Sequence, residues 1–360
     1  MNNFPEGTAI VYCQGYFNTT NGKTAHGLVR RSRRYQVISV VDARYSGQDA
    51  GAVLDGKVKD IPIYANVPDA YKASHRAKRS ASHLVVGLAP DGGRLSENAK
   101  NDVREAIKLG LNVDCGLHDF LSEDPEMSAL AKKYQVKLRD IRKTASRDKL
   151  HFFSGKIEKV NSLKVAVLGT DSAIGKRTTA WVLVETLQKA GYKTEMIGTG
   201  QTAWLQGAKY CIILDSLIND FVAGEIEHAV WSAWISEKPD VIVIEGQGSL
   251  MNPAYPGGFE ILAAGRPDVV ILQHAPARKE YDGFPGYPLH PLHKQINVIQ
   301  LLSGKPVIAI TINHENLSLN QVKETCQKIS EETGLVCCDP LLHGVDKVVN
   351  TLKRFQYKKE

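Results

Sequence analysis

At 360 residues, 43% of them hydrophobic and 23% charged, the chain has the make-up of a soluble globular protein long enough for two domains. Its formal charge of +6 is mild, and neither a dense basic footprint nor a nucleic-acid module accompanies it, so no nucleic-acid partner is expected. No apolar run approaches the ~20 residues that cross a bilayer, and the N-terminus has no basic flank before an apolar core, so neither a membrane span nor a signal peptide is expected. Six scattered cysteines lack zinc-site spacing and fit a reducing cytoplasm.

In chain order, Thr8 to Cys13 reads as a strand, Lys23 to Arg33 as a helix and Val37 to Val41 as a strand ending at Asp42. The arginines at 30, 31, 33 and 34 read as a solvated helix end. Asp60 to Tyr64 is an edge strand, because Pro62 removes a ladder donor. His83 to Leu88 is a strand, Glu97 to Leu109 a helix stopped by Gly110, and Asn112 to Cys115 a strand leading to His118 and Asp119. The alternation predicts a small doubly wound parallel sheet. Its first loop lacks the three-glycine dinucleotide pattern, so Asp42 is either a ribose acid or a loop cap, and Asp119 either a ligand group or a helix cap.

The polar stretch from Ala145 to Asn161 marks a boundary, giving domains 1–150 and 151–360. The pattern then restarts with a buried strand (Val165 to Leu168), a glycine-bearing loop and a helix (Thr178 to Ala190). Strands follow at Thr194 to Ile197, Cys211 to Leu214, Asp240 to Ile244, Asp268 to Leu272 and, last, Pro306 to Ile312, with a helix over Asn219 to Ser236. The expected fold is α/β, with two doubly wound parallel-sheet domains, the second P-loop NTPase-like.

The loop after Leu168 carries the strongest chemical signal. Strand, glycine loop, lysine and helix make a phosphate cradle in which loop amides and the helix N-terminus face the anion. Its cofactor-binding candidates are Gly169, Thr170, Asp171, Ser172, Ala173, Ile174, Gly175, Lys176, Arg177, Thr178 and Thr179. The two glycines are six positions apart rather than the usual five, and Arg177 stands where a Ser or Thr would hold magnesium. A guanidinium cannot ligate a metal but can fork onto phosphate.

Polar residues recur where the strands of this domain end, and in a parallel sheet all those ends share one edge. Thr199, Gln201, Thr202, Gln247, Ser249 and Arg278 are substrate-binding candidates, and Glu245, His274 and Asp220 catalytic ones. Glu245 follows Val-Ile-Val-Ile as in a Walker-B-like strand, and can hold magnesium, orient water, accept a proton or cap the Gly-Gln-Gly turn. A metal, if one binds, would draw on Thr178, Asp215 and Glu245. Asp220 suits either chemistry or the helix dipole, and Glu227, two turns on, shares its face, which is either solvated or functional. His274 suits a general base or a structural role, and Arg278 a substrate carboxylate or the surface. The Gly- and Pro-rich run Tyr281 to Pro291 reads as an ordered lid.

These motifs together resemble a bacterial and archaeal family, long catalogued as a domain of unknown function, in which a Rossmann-like domain precedes a P-loop domain. The matching pieces are the loop at 169–179, Gly198-Thr-Gly-Gln-Thr202, Asp220-Phe-Val-Ala-Gly-Glu-Ile-Glu227 and Glu245-Gly-Gln-Gly-Ser-Leu250, with Gly22-Lys-Thr24 and Gly116-Leu-His-Asp-Phe-Leu121 in the first domain. Characterised members resemble D-glutamate N-acetyltransferases, which implies acetyl-CoA as acyl donor, an acidic amino acid as acceptor and a homo-oligomer. The P-loop part is also similar to dethiobiotin synthetase. That implies, as alternatives, an ATP- and Mg-dependent kinase or amide ligase, or a non-catalytic nucleotide sensor.

Overall fold

The computed structural model describes residues 4–356. Two compact units emerge. The first comprises the chain up to Thr144 together with Gln201–Ala208, and the second comprises Ala145–Gly200 and the chain from Lys209 onward. Both are layered α/β structures around one parallel sheet.

The first sheet has six strands: β1 (Gly7–Tyr12), β2 (Tyr35–Val41), β3 (Ile63–Tyr64), β4 (His83–Val86), β5 (Asn112–Cys115) and β6 (Leu138–Asp140). Their order is β3-β2-β1-β4-β5-β6, all parallel, the Rossmann arrangement. β3 is an edge strand as Pro62 requires, whereas β6 and the helix Val67–Arg76 were not legible. Side-chain caps start the helices: Asn66, Ser96 and Asp124 each accept an N–H of the first turn.

No dinucleotide cradle forms at the end of β1. Phe17 is fully buried there, and the loop amides are engaged internally: Phe17 N–H donates to Asp42 Oδ2 at 2.9 Å and Gly22 N–H to the Thr19 carbonyl at 2.9 Å. Asp42 also accepts from the Arg44 amide and guanidinium, so it is a loop cap. Asp119 binds Leu95 N–H at 2.7 Å, across to a neighbouring loop rather than onto its own helix.

The short helix Gln201–Gln206 packs into this unit, with Leu205 in its core. The Thr202 and Thr24 hydroxyls pair at 2.8 Å, Gln201 lies against Gly116, and Gln206 donates to the Gly27 carbonyl at 2.8 Å. Arg34 is not part of a solvated helix end. It is buried, its guanidinium lies 3.6 Å from the Trp204 ring centroid, and it donates to the Trp204 carbonyl. Arg30, by contrast, pairs with Asp55 at 2.7 Å on the surface.

The second sheet has seven parallel strands: β7 (Leu163–Gly169), β8 (Thr194–Gly198), β9 (Tyr210–Cys211), β10 (Val241–Glu245), β11 (Val269–His274), β12 (Val307–Ile312) and β13 (Val336–Cys338). The order β13-β12-β11-β7-β10-β8-β9 puts β7 at the centre, between β10 and β11. Every residue of β7 and β10 is buried, as expected for strands covered on both faces. The apolar run after Cys211 does not continue as a strand but turns at Leu214–Ser216, and β12 is not the last strand, since β13 follows it. No helix among the described residues is long and apolar enough to cross a membrane, and all six cysteines are free.

Residues 151–157 lie along the helix Asn219–Glu237 through the motif Asp220 to Glu227. Phe152 and Phe221 pack with ring centroids 4.7 Å apart, and the His151 amide and ring each reach Glu225 at 2.8 Å. Glu227 is not solvated. It is buried, and its two oxygens accept from Ser154 and from Ile157 N–H. Gly224 is required by this approach, because a Cβ there would stand 1.9 Å from the His151 carbonyl oxygen. Gly224→Val is therefore expected to lift the segment off the helix. It should cost about 1–3 kcal/mol in urea unfolding and open residues 145–157 to limited proteolysis; unchanged stability and cleavage would contradict the packing described.

Candidate phosphate-binding site

The carboxyl end of β7 is the point where strand order reverses in the second sheet, the place where ligands of such sheets collect. The loop from Gly169 leads there into the helix Lys176–Lys189. Gly175, with φ 99°, precedes that helix, and no side chain caps it. Ala173 is also left-handed, at φ 53°, a conformation that a non-glycine residue holds only when its surroundings fix it. The Lys176 stem runs between Gly169 and Gly246. A Cβ at either would lie 2.7 Å or 3.0 Å, respectively, from Lys176 Cδ. Lys176 Nζ donates to the Asp171 carbonyl at 2.6 Å.

Two residues fix the loop. The fully buried Asp171 carboxylate accepts from Ser172 N–H (2.7 Å) and Asn252 Nδ2 (2.9 Å) on one oxygen, and from Arg278 Nη1 (2.8 Å) and Asp282 N–H (2.9 Å) on the other. Gln273, at the end of β11, accepts the Thr179 and Thr311 hydroxyls on its carbonyl oxygen and donates to the Ile174 carbonyl at 3.1 Å. Its own main-chain carbonyl receives Thr170 N–H at 3.0 Å. Neither Gln273 nor Asn252 stood out in the sequence. An uncharged residue in or beside an apolar strand carries no chemical signature, although its position next to a P-loop strand end was the available clue.

Glu245 and His274 flank the loop on opposite sides, one on β10 and the other on β11, with β7 between them. Strand spacing sets them roughly 10 Å apart across the sheet, and the register puts His274 three residues beyond Ile271, the β11 residue level with Glu245, so they do not form a dyad. Glu245 is buried; one of its oxygens accepts Thr199 N–H at 2.9 Å, and the Thr199 hydroxyl donates to its main-chain carbonyl at 3.1 Å. Burial pushes the Glu245 carboxyl above its ordinary range, against the pull of Arg177, the Thr199 amide and Lys176. His274 shares a 2.9 Å hydrogen bond between Nδ1 and the Thr170 hydroxyl, and burial lowers it to about 4, so its ring is neutral at pH 7.

The other candidates divide. Gln247 donates to the Thr199 carbonyl at 2.9 Å, so it lies with Thr199 beside Glu245, whereas Ser249 Oγ accepts the N–H of Asn252, the residue that donates to Asp171, at 3.0 Å. Gln201 and Thr202 belong to the first unit. Arg278 grips two of the chain's own carboxylates, Asp171 and Glu315, and the Ser172 carbonyl. The run Tyr281 to Pro291 folds back on itself, with Tyr281 N–H on the Tyr287 carbonyl, and is rooted through Asp282 on Asp171. Asp220 is exposed in the first turn of its helix, where the dipole favours an acid. Thr178 is half-buried and Asp215 exposed, and among the described residues no group of three His, Cys, Asp or Glu is arranged to hold a metal.

Comparison with known proteins matches two family models to the chain, the second of them spanning residues 201–208 that pack into the first unit. Residues 43–144 match the Rossmann-like domain of unknown function DUF1611_N, and residues 151–349 match the DUF1611_C P-loop domain. A protein from Pseudoalteromonas sp named D-glutamate N-acetyltransferase is 31% identical over 285 residues, covering 77% of this chain and 82% of its own. One of the same name from Tritonibacter scottomollicae is 29% identical over 278 residues, covering 76% and 81%. The crystal structure of a DUF1611 family protein from Anabaena variabilis superposes with a TM-score of 0.88 at 27% identity, covering 97% of this chain and all of that one.

Asp171→Ala would take one of two carboxylate partners from the Arg278 guanidinium, which is only 14% exposed, and leave the Ser172 and Asp282 N–H groups and Asn252 Nδ2 without their acceptor, and is expected to cost about 3–5 kcal/mol in chemical denaturation. His274 is lowered from 6.5 to about 4, so its contribution to stability is full above pH 6.5 and disappears as pH falls toward 4. His274→Gln should flatten the stability curve in that window. Glu245 runs the other way. Its raised carboxyl favours folding below its usual 4.5 and opposes it as pH rises through the folded value. Glu245→Gln should therefore raise the melting temperature at pH 7, and a lowered one would contradict the burial argument.

Proposed function

The chain belongs to the DUF1611 family, and from that premise we propose that it is an N-acetyltransferase that moves the acetyl group of acetyl-CoA onto the amino group of an acidic D-amino acid. The acceptor class rests on the names of its relatives. The observation that supports the reading in this chain is the uncapped, glycine-framed helix end at Lys176 with a buried acid beside it. The donor set fits a diphosphate: first-turn N–H groups, the Lys176 ammonium and the Arg177 guanidinium are all anion ligands. When bound, acetyl-CoA supplies an activated acyl group.

The remaining work falls to side chains. An attacking amine must be neutral, and a base is most effective when its pKa lies near the working pH. Of the two flanking groups, Glu245, shifted upward, suits that role better than His274, shifted down to about 4. His274 and the Thr170 hydroxyl hold the opposite wall of the loop. The Gln247 side-chain amide has a second N–H beyond the one it gives the Thr199 carbonyl, a donor suited to an oxyanion. Arg278 acts by positioning Asp171.

Incubation with acetyl-CoA and D-glutamate should yield N-acetyl-D-glutamate by mass spectrometry. Lys176→Ala should raise KM for acetyl-CoA, and Glu245→Gln should lower kcat roughly 10²–10⁴-fold. No acetylated product across a panel of D- and L-amino acids would overturn the reading.

A further inference from the structure

P-loop sites that handle nucleoside triphosphates place a divalent cation beside the phosphates. It is held by the hydroxyl that follows the loop lysine and by an acid at a neighbouring strand end. The donor set of this chain does not fit that ion. Arg177 occupies the hydroxyl position. The next residue, Thr178, is turned about 100° further around the helix, and the Thr179 hydroxyl is engaged by Gln273 at 2.6 Å. The acid, Glu245, is buried and holds Thr199 N–H, and the side-chain cations that act on it are Arg177 and Lys176. A hydrated dication entering here would face the positive charges of Lys176 and Arg177, while the other acid of the loop, Asp171, is already taken up by four protein donors.

We propose that Arg177, balanced by Glu245, takes the place of the metal, so that this loop binds a diphosphate ester without a divalent cation and favours it over magnesium–nucleotide complexes. The inference rests on the reading of the loop as a phosphate cradle. A guanidinium is always charged and presents a planar fork of donors, which suits two neighbouring phosphate oxygens. Arg177 sits half-buried in this loop, and the charge of Glu245 acts on it there. Both groups are pinned: Glu245 by Thr199 N–H, and the helix carrying Arg177 by the Gln273 bonds to Ile174 and Thr179. The cation is therefore carried on a fixed element and need not be recruited with the substrate.

The test is calorimetric titration of the full chain with coenzyme A and with ADP, each in excess magnesium chloride and in excess EDTA. For the wild type, coenzyme A affinity should agree between the two conditions within about twofold. Arg177→Thr should bind coenzyme A about tenfold or more weakly in EDTA and recover ADP binding when magnesium is added. Arg177→Lys, which keeps the charge, should stay indifferent to magnesium and so guards against a misfolded threonine variant. Wild-type binding of coenzyme A that falls about tenfold on chelation would overturn the inference while leaving the cradle intact. Binding of neither ligand in either condition would remove both.

Discussion

The Asp171 carboxylate is the interaction on which the rest of the site depends. An ionised carboxylate buried at the end of an apolar sheet is tolerated only when donors replace the water it has lost. Four donors do so here, and they come from three separate loops: Ser172 in the P-loop itself, Asn252 beyond β10, and Arg278 and Asp282 beyond β11. The two loops beyond β10 and β11 are long and rich in Gly and Pro, with little intrinsic preference for one conformation. Desolvation of one charge thus selects a single arrangement for all of them. Arg278 extends the network outward to Glu315, so the loop after β12 is included as well.

The strands were legible because their signals are local. Runs such as Val-Ile-Val-Ile before Glu245, punctuated by glycine, read the same way in any context. The P-loop was legible for the same reason, since its glycines and lysine lie within eleven consecutive residues. What failed was everything that depends on a distant partner. Arg278 reads as a free cation until Asp171 and Glu315, 107 and 37 positions away, are placed beside it. Arg34 reads as part of a solvated cluster until Trp204, 170 positions on, lies over it. The helix Asn219–Glu237 buries Phe221, Ile226, Glu227 and Val230 together, so its pattern gives no clean polar face from which to judge Glu227. The helix Gln201–Gln206 is too short for a period to declare itself, and its polar start resembles a ligand loop.

The family motifs separate into two kinds once their contacts are known. The 169–179 loop and the Glu245 to Leu250 stretch frame the cradle. The Asp220 to Glu227 motif instead secures residues 151–157 through Phe221, Gly224, Glu225 and Glu227. The Gly198 to Thr202 motif does both. Thr199 supports Glu245, whereas Thr202 pairs with Thr24 and Gln201 abuts Gly116, which explains why the Gly22-Lys-Thr24 and Gly116 motifs accompany it. A motif without an ionisable group at a strand end can therefore be a packing requirement as strict as a chemical one.

The eight residues from Gln201 to Ala208 bear on how this protein can be divided or recombined. The backbone leaves one folding unit after Gly200 and rejoins it at Lys209, so the polypeptide changes unit three times rather than once. No single cut yields two self-sufficient fragments. A piece ending at Thr144 would leave Arg34 and its neighbours without Trp204 and Leu205, and a piece beginning at Ala145 would carry that apolar helix with nothing of its own unit to cover it. Gene fusions, shuffled chimaeras and truncation libraries built on a linear boundary would break the same covalent thread, which ties the two halves of this architecture into one inherited piece.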